Sequence, residues 1–465
     1  MRFTKQISKM IKLKNVALSA VGVLMIVGSG LIQATETRGA VPVTTIVYPT
    51  GAFPGDVATV QSALDRGGTV LLKATNAAGV PTAFNFGTPE RLPGRRVLFT
   101  TDVNIVGERV GSHMTTVNGG FAPFRSLFPV KSRIEGIDFE SPLSQAILII
   151  ASTGTEIVGN RINGVIPILV GNPVRRFFTF GDGIDLFGNR DPQHAITGKV
   201  RVADNVIENL TAQFATGIQL DAVAADSEIT GNTINLGPTE HDVQGIGIVA
   251  IRSQSSVLID NNTLGPDMAG AGIFISGDHN AAYQVSRNTV ICESPFADGI
   301  DVTGGDFSEG TISPVIEKNH VTMHNSQFGG IVFYGLVSNG LVGENKIDGD
   351  GAVALVLAEG FVPGNLVSSN RLQGNNISLF TASLADVLFD TNTRDNVLVG
   401  HCDSIIDLGV NNSATCATPR NASLIGEQMK NEHARKSERL QRLMSIDRES
   451  LRDMFYPLAD AGGSD

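Results

Sequence analysis

One short pattern recurs along most of this 465-residue chain and leaves little choice of architecture. An aliphatic residue is followed three places on by Asn, and a second aliphatic residue stands two places beyond. The copies are Ile157-Asn160-Ile162, Val202-Asn205-Ile207, Ile229-Asn232-Ile234, Ile259-Asn262-Leu264, Val285-Asn288-Val290, Ile316-Asn319-Val321, Val342-Asn345-Ile347 and Val367-Asn370-Leu372. The Asn residues are 45, 27, 30, 26, 31, 26 and 25 positions apart. A unit this short cannot enclose a core alone, so successive units must stack into a solenoid. Val103-Asn104-Ile105-Val106-Gly107 and Arg133-Ile134-Glu135-Gly136-Ile137 keep the alternation without the Asn, and a degenerate copy at Phe389-Asn392 makes eleven coils.

The middle coils carry a second strand about 15 residues before the Asn, beginning Gly183-Ile184-Asp185-Leu186 and recurring at Gly217, Gly247, Gly272, Gly299, Gly330 and Ala354. Side chains alternate across a strand, so Ile184, Ile218, Ile248, Ile273, Ile300, Ile331 and Leu355 should stack inside. The outward neighbours read Asp185, Gln219, Val249, Phe274, Asp301, Val332 and Val356. An apolar stripe of that length on an outer face calls for a cover, either the C-terminal segment or a second copy of the chain in a homo-oligomer. The recurring Asn should occupy a turn, tolerate left-handed backbone geometry and bond to its counterpart in the next coil.

These repeats resemble those of right-handed parallel β-helix proteins, the pectate-lyase-like superfamily. The opening Val60-Gln61-Ser62-Ala63-Leu64-Asp65, followed by Gly68-Thr69-Val70-Leu71-Leu72, is similar to the start of many such chains, and the likeness runs from about residue 56 to 412. It implies an all-β, single-stranded right-handed parallel β-helix. It leaves activity open among lyases, hydrolases, epimerases, tailspikes and proteins with no catalysis.

The ends differ from the body. Residues 1–34 have the form of a secretory signal, with basic Arg2, Lys5, Lys9, Lys12 and Lys14, an apolar Val16–Ile32 and Ala34 as the last residue before cleavage. An uncleaved anchor is the rival; Gly22, Gly28 and Gly30 dilute the apolar run and favour cleavage, which leaves no stable membrane span. Residues 35–55 read as a leader. Asp56 reads as the N-cap of a helix through Leu64, whose Val57, Val60, Ala63 and Leu64 share one face and would close the open end of the solenoid. From 413 the chain becomes a charged tail, and residues 426–456 read as an amphipathic helix bearing Met429, Leu440, Leu443, Met444, Leu451, Met454 and Phe455. Such a helix either covers the end or side of the solenoid or binds a partner.

Charge narrows the partners. Setting aside the five basic residues of the first 34 leaves 30 Lys and Arg against 46 Asp and Glu, a formal −16. Nucleic acid is excluded as a partner by that balance. Among the three cysteines, Cys292 falls at an inward position and reads as a small buried residue, while Cys402 and Cys416 stand close enough to be bridged in an exported protein or to remain two thiols.

Carboxylates gather at Asp182-Gly183-Ile184-Asp185, with Asp221 expected on the next coil, and again at Asp298-Gly299-Ile300-Asp301 with Asp306 beyond. In the resembled family such acids bind Ca²⁺ or act as acid and base in glycoside cleavage; the plainer alternative is solvated turn aspartates beside glycine. The first group lies in the longest step, with Arg175, Arg176, Arg190, Asp191 and His194 nearby. Asp182, Asp185, Asp221, Arg190 and His194 are therefore the candidate catalytic set. Asp182, Asp185 and Asp221 are the candidate calcium ligands, and Arg190 the group to hold a uronate or act as base. The adjacent aspartates, Gly-His-Gly and Arg-Ile-Lys of polygalacturonases are absent, and Asp191-Pro192-Gln193-His194 matches the epimerase Asp-Pro-His only with Gln193 in place of His. Without Trp and with four Tyr, aromatic sugar platforms are scarce. Two functions follow. One is polysaccharide binding and cleavage, with an acidic glycan as the partner. The other is a non-catalytic envelope or surface scaffold. They separate on whether these acids open onto a groove.

Overall fold

The computed structural model describes residues 44–88, 95–170, 178–188, 195–237, 244–277, 282–305, 311–359, 364–400 and 402–414. The expected signal segment, Arg190, His194, Cys416 and the tail helix lie outside them. The described chain is a parallel β-solenoid of about 12 turns, one more than the repeat count. Its strands fall in three walls. The first is a 14-stranded sheet running from Thr44–Val47 to Ser413–Ala414. The second and third belong to one 23-stranded sheet, because in late coils a single strand such as His320–Gly335 or Lys346–Ala358 turns the corner between them.

Inward stacking follows the alternation. Ile184, Ile218, Ile248, Ile273, Ile300, Ile331 and Leu355 are consecutive register partners in the third wall, each fully or almost fully buried. The glycine before each Ile has a steric cause. A Cβ on Gly183, Gly217 or Gly247 would press on the carbonyl oxygen of the glycine one coil later. The walls close together at this corner only because no side chain intervenes.

The Asn ladder is present but differs from expectation in two respects. The left-handed residue is the one before each Asn: Asp204, Gly231, Asn261, Arg287, Lys318 and Glu344 have φ of 57, 68, 55, 56, 57 and 54°. The Asn itself is buried, and its Oδ1 accepts from the backbone N–H and side-chain amide of the Asn one coil earlier, as Asn232 does from Asn205 at 3.0 and 2.9 Å. Second, Asn370 is not the successor of Asn345. Asn345 donates to Asn375 at 2.9 Å, while Asn370, Asn396 and Asn412 form a separate ladder at the corner entering the first wall. Both corners present the same local pattern, so the sequence could not tell them apart. Asn392 belongs to neither ladder; Asn396 takes that coil's place.

The helix spans Gly55–Leu64 and buries Val57, Val60, Ala63 and Leu64. Asp56 is not its cap: no side-chain capping bond forms, and the residue lies inside the first turn. Its fully buried carboxylate accepts from Thr50 N–H at 2.8 Å, Thr50 Oγ1 at 2.7 Å and Asn85 N–H at 2.8 Å, tying the entry segment to the first coil. Thr44–Val47 already pairs with Gly68–Leu72, so part of the 35–55 span is built into the first wall. Cys292 is free and buried. Desolvation pushes its thiol up to about 12, which makes it inert. Cys402 is disulfide-bonded.

Candidate functional site

The outer face of the third wall is one unbroken column. Register partners run Leu98, Arg125, Leu148, Asp185, Gln219, Val249, Phe274, Asp301, Val332, Val356, Leu388 and Ile406. Although they point away from the core, every member from Arg125 onward is at most 8% exposed. The carboxylates singled out from sequence therefore do not open onto solvent.

Asp182 and Asp185 come together; Asp221 does not join them. Asp182 is fully buried and takes the N–H of Thr216 at 2.7 Å. Burial, then the charge of Asp185 and a hydrogen bond with it, hold the Asp182 carboxyl well above the usual range. A neighbouring carboxyl opposes the ionisation of Asp182 and adds to the effect of burial. Such a pair has acid–base capability only where a substrate can reach it. Asp221 is the register partner of Phe187, not of Asp185. It forms a two-pronged ion pair with Arg252 of the next coil, Nε to Oδ1 at 2.8 Å and Nη2 to Oδ2 at 2.6 Å. Among the described residues no group of three His, Cys, Asp or Glu side chains is placed to hold a metal ion.

The second Asp-Gly-Ile-Asp copy repeats the arrangement. Asp298 and Asp301 are buried, and Asp298 takes the N–H of Gly329 at 3.0 Å as Asp182 takes that of Thr216. This recurrence marks the first Asp of each copy as a corner fastener between coils. Sequence reasoning missed Arg125, which lies two strands before Asp185 in the same column, fully buried with its guanidinium 4.8 Å from the Phe121 ring centre. Burial and the neighbouring Arg96 push it well down. An Arg inside Phe124-Arg125-Ser126 fits no repeat, and only the register reveals its place.

The second wall is different: its outer face is polar and partly open to solvent. One column reads Thr116, Asp138, Arg161, Val206, Thr233, Thr263, Thr289, His320 and Lys346. The adjacent one carries Glu140, Asn163, Glu208 and Asn235, then Thr322 and Asp348 farther on. Arg161 lies among three carboxylates, Glu140 at 2.6 Å, Asp138 at 3.2 Å and Glu208 at 3.3 Å. Burial, with Glu140 beside it, raises the Asp138 carboxyl despite Arg161. Asn163 donates to Glu140 at 2.8 Å and accepts from Asn209 at 2.6 Å. Six register steps from Arg161, roughly 29 Å, Asp348 takes Lys346 at 2.6 Å, Thr322 at 2.7 Å and His320 Nε2 at 2.9 Å. Between these clusters stand three threonines, one per coil. The pairing of His320 with Asp348 arises across coils; their separation in sequence hides it.

The fold and these faces define the class: a parallel β-solenoid with one covered outer wall and one open polar wall. No family model matches the chain, and no curated protein matches it. Among solved structures it is similar to DFA-IIIase from Arthrobacter chlorophenolicus A6, 13% identical over 78% of this chain and 92% of that one, TM-score 0.42. It is similar also to the A-module of mannuronan C-5 epimerase AlgE4 from Azotobacter vinelandii, 14% identical over 78% and 94%, TM-score 0.40. A third is the Dettilon tailspike protein, 15% identical over 76% and 68%, TM-score 0.34. Likenesses this distant carry no weight for substrate or chemistry. No described helix is long and apolar enough to cross a membrane.

Proposed function

We propose that this chain is an exported polysaccharide-binding β-solenoid whose ligand face is the open outer side of the second wall. One observation carries the proposal: the wall presents hydroxyl, amide, carboxylate and cationic groups at the strand spacing, several already held by their neighbours. Side chains fixed before contact lose little entropy on binding a polyhydroxylated chain. Around Arg161 three carboxylates outnumber one cation, which favours a ligand that donates hydroxyl hydrogens over a uronate. The disulfide at Cys402 supports an oxidising compartment and agrees with the signal-like first 34 residues. Enclosure of Asp182 and Asp185 argues against cleavage at that pair; the scaffold alternative draws its support from the same enclosure.

The test is a panel of neutral and uronic polysaccharides read by affinity electrophoresis, with reducing ends and unsaturated products assayed in parallel. Retardation by neutral polymers is expected. It should weaken at least about tenfold in Arg161→Ala and Thr263→Lys, the equivalent of about 1.4 kcal/mol, and stay unchanged in Arg201→Ala on the first wall. Equal loss in the Arg201 variant, or no retardation by any polymer, sinks the proposal.

A further inference from the structure

The covered stripe on the third wall has no described cover. From Val249 to Ile406 its outward side chains are mostly apolar and nearly fully buried, with Asp301 the exception in chemistry. They form packing clusters separate from the solenoid core: Val332, Tyr334, Val356, Leu388 and Ile406 in one, Val249 and Phe274 in another. Apolar side chains facing outward are withdrawn from water only when something apolar lies on them. The one described helix, Gly55–Leu64, packs with the first strands at the opposite end, and no described helix or strand stacks outside this stretch of the wall.

We propose that residues 426–456 of the same chain form this cover, lying as a helix lengthwise along the stripe. Three features select that occupant. The first is length: seven strands from Val249 to Ile406 span roughly 29 Å, and a helix of 31 residues spans roughly 46 Å. The second is chemistry. Leu440, Leu443, Met444, Leu451, Met454 and Phe455 recur at spacings of three, four, seven and eleven, which puts them on one helical face, with Lys, Arg and Glu on the others. The third is position: the described solenoid ends at Ser413–Ala414, in the coil next to the last strand of the stripe, Ile405–Asp407, just after the disulfide-bonded Cys402. The tail then acts as a strap that seals the apolar wall and leaves the polar wall open.

Two measurements test it. In the full chain, a photo-crosslinking residue in place of Leu388 or Phe274 should attach chiefly to peptides from 426–456. Attachment to other segments, or to a second copy of the chain, overturns the proposal. Tyrosine nitration mapped by mass spectrometry gives the second. Tyr334 lies on the outer stripe and Tyr283 in the solenoid core, each 2% exposed. Ending the chain at residue 420, or the double change Leu440→Asp and Leu443→Asp, should speed nitration of Tyr334 about tenfold or more and leave Tyr283 protected. Protection of both overturns the strap. If both variants expose both tyrosines, the solenoid itself has opened and the crosslinking result decides. Failure of polysaccharide binding in the preceding test leaves this proposal standing, because the two walls are separate.

Discussion

Asn262 donates its side-chain amide to Oδ1 of Asn288 at 2.9 Å, and its backbone N–H reaches the same oxygen at 2.9 Å. The same amide also donates to the carbonyl of Ile229 at 2.9 Å. One Asn thus satisfies groups in the coils on both sides. Replacing Asn262 by Ala should cost about 2–5 kcal/mol, because several buried groups lose partners together. Asn412→Ala, at the end of the second ladder, should cost about 1 kcal/mol. Denaturant midpoints of the two variants check this; equal losses would contradict a cooperative ladder.

Gly299 presents a different constraint. A Cβ there would collide with the Val321 side chain and the Gly330 carbonyl, and neither can withdraw without moving a strand. Gly299→Ala should therefore destabilise by about 1–3 kcal/mol or more. Gly159→Ala is the contrast: φ is 62° but no atom lies within 4 Å, so only backbone strain of about 1 kcal/mol is expected. Thermal melts of the pair separate collision from strain.

Asp348 supplies a pH dependence. Partial burial pushes its carboxyl up, but donors from Lys346, Thr322 and His320 outweigh that and bring it down to about 2. A carboxyl held lower in the folded than in the unfolded chain stabilises the fold above its unfolded value near 4 and loses that contribution as pH falls toward 2. Asp348→Asn should remove on the order of 1–2 kcal/mol at pH 7, after allowance for its closeness to solvent, and little at pH 2. Urea titrations at both pH values read the difference, and a constant gap between variant and parent would contradict it.

Asp182 should behave in the opposite sense. Its carboxyl is held well up by burial and Asp185, so folding becomes less favourable as pH rises past the unfolded value near 4. Asn keeps an oxygen for the Thr216 N–H and removes the buried ionisable group. Asp182→Asn should raise the melting midpoint at pH 7 and have little effect at pH 3. A lower midpoint at pH 7 would show that the ionised pair serves a purpose the fold needs.

The alternation of apolar residues by itself determined that this chain is a parallel solenoid and which side chains stack inside, because strand periodicity depends only on near neighbours. It also placed the outward column correctly from Asp185 to Val356. Corner identity was not legible: Val367-Asn370-Leu372 has the same local form as the true ladder members, and only strand pairing assigns Asn370 to the other corner and Asn375 to the ladder. Asp56 looked like a cap for the same reason, since its partners Thr50 and Asn85 are brought to it by the first coil. Burial was decided by tertiary structure alone. Asp182 and Asp185 read as exposed acids because a strand has two faces and sequence does not say what lies on the outer one. The join of His320 to Asp348 likewise depends on coil-to-coil register, since residues 28 apart in sequence become neighbours only when the coils stack.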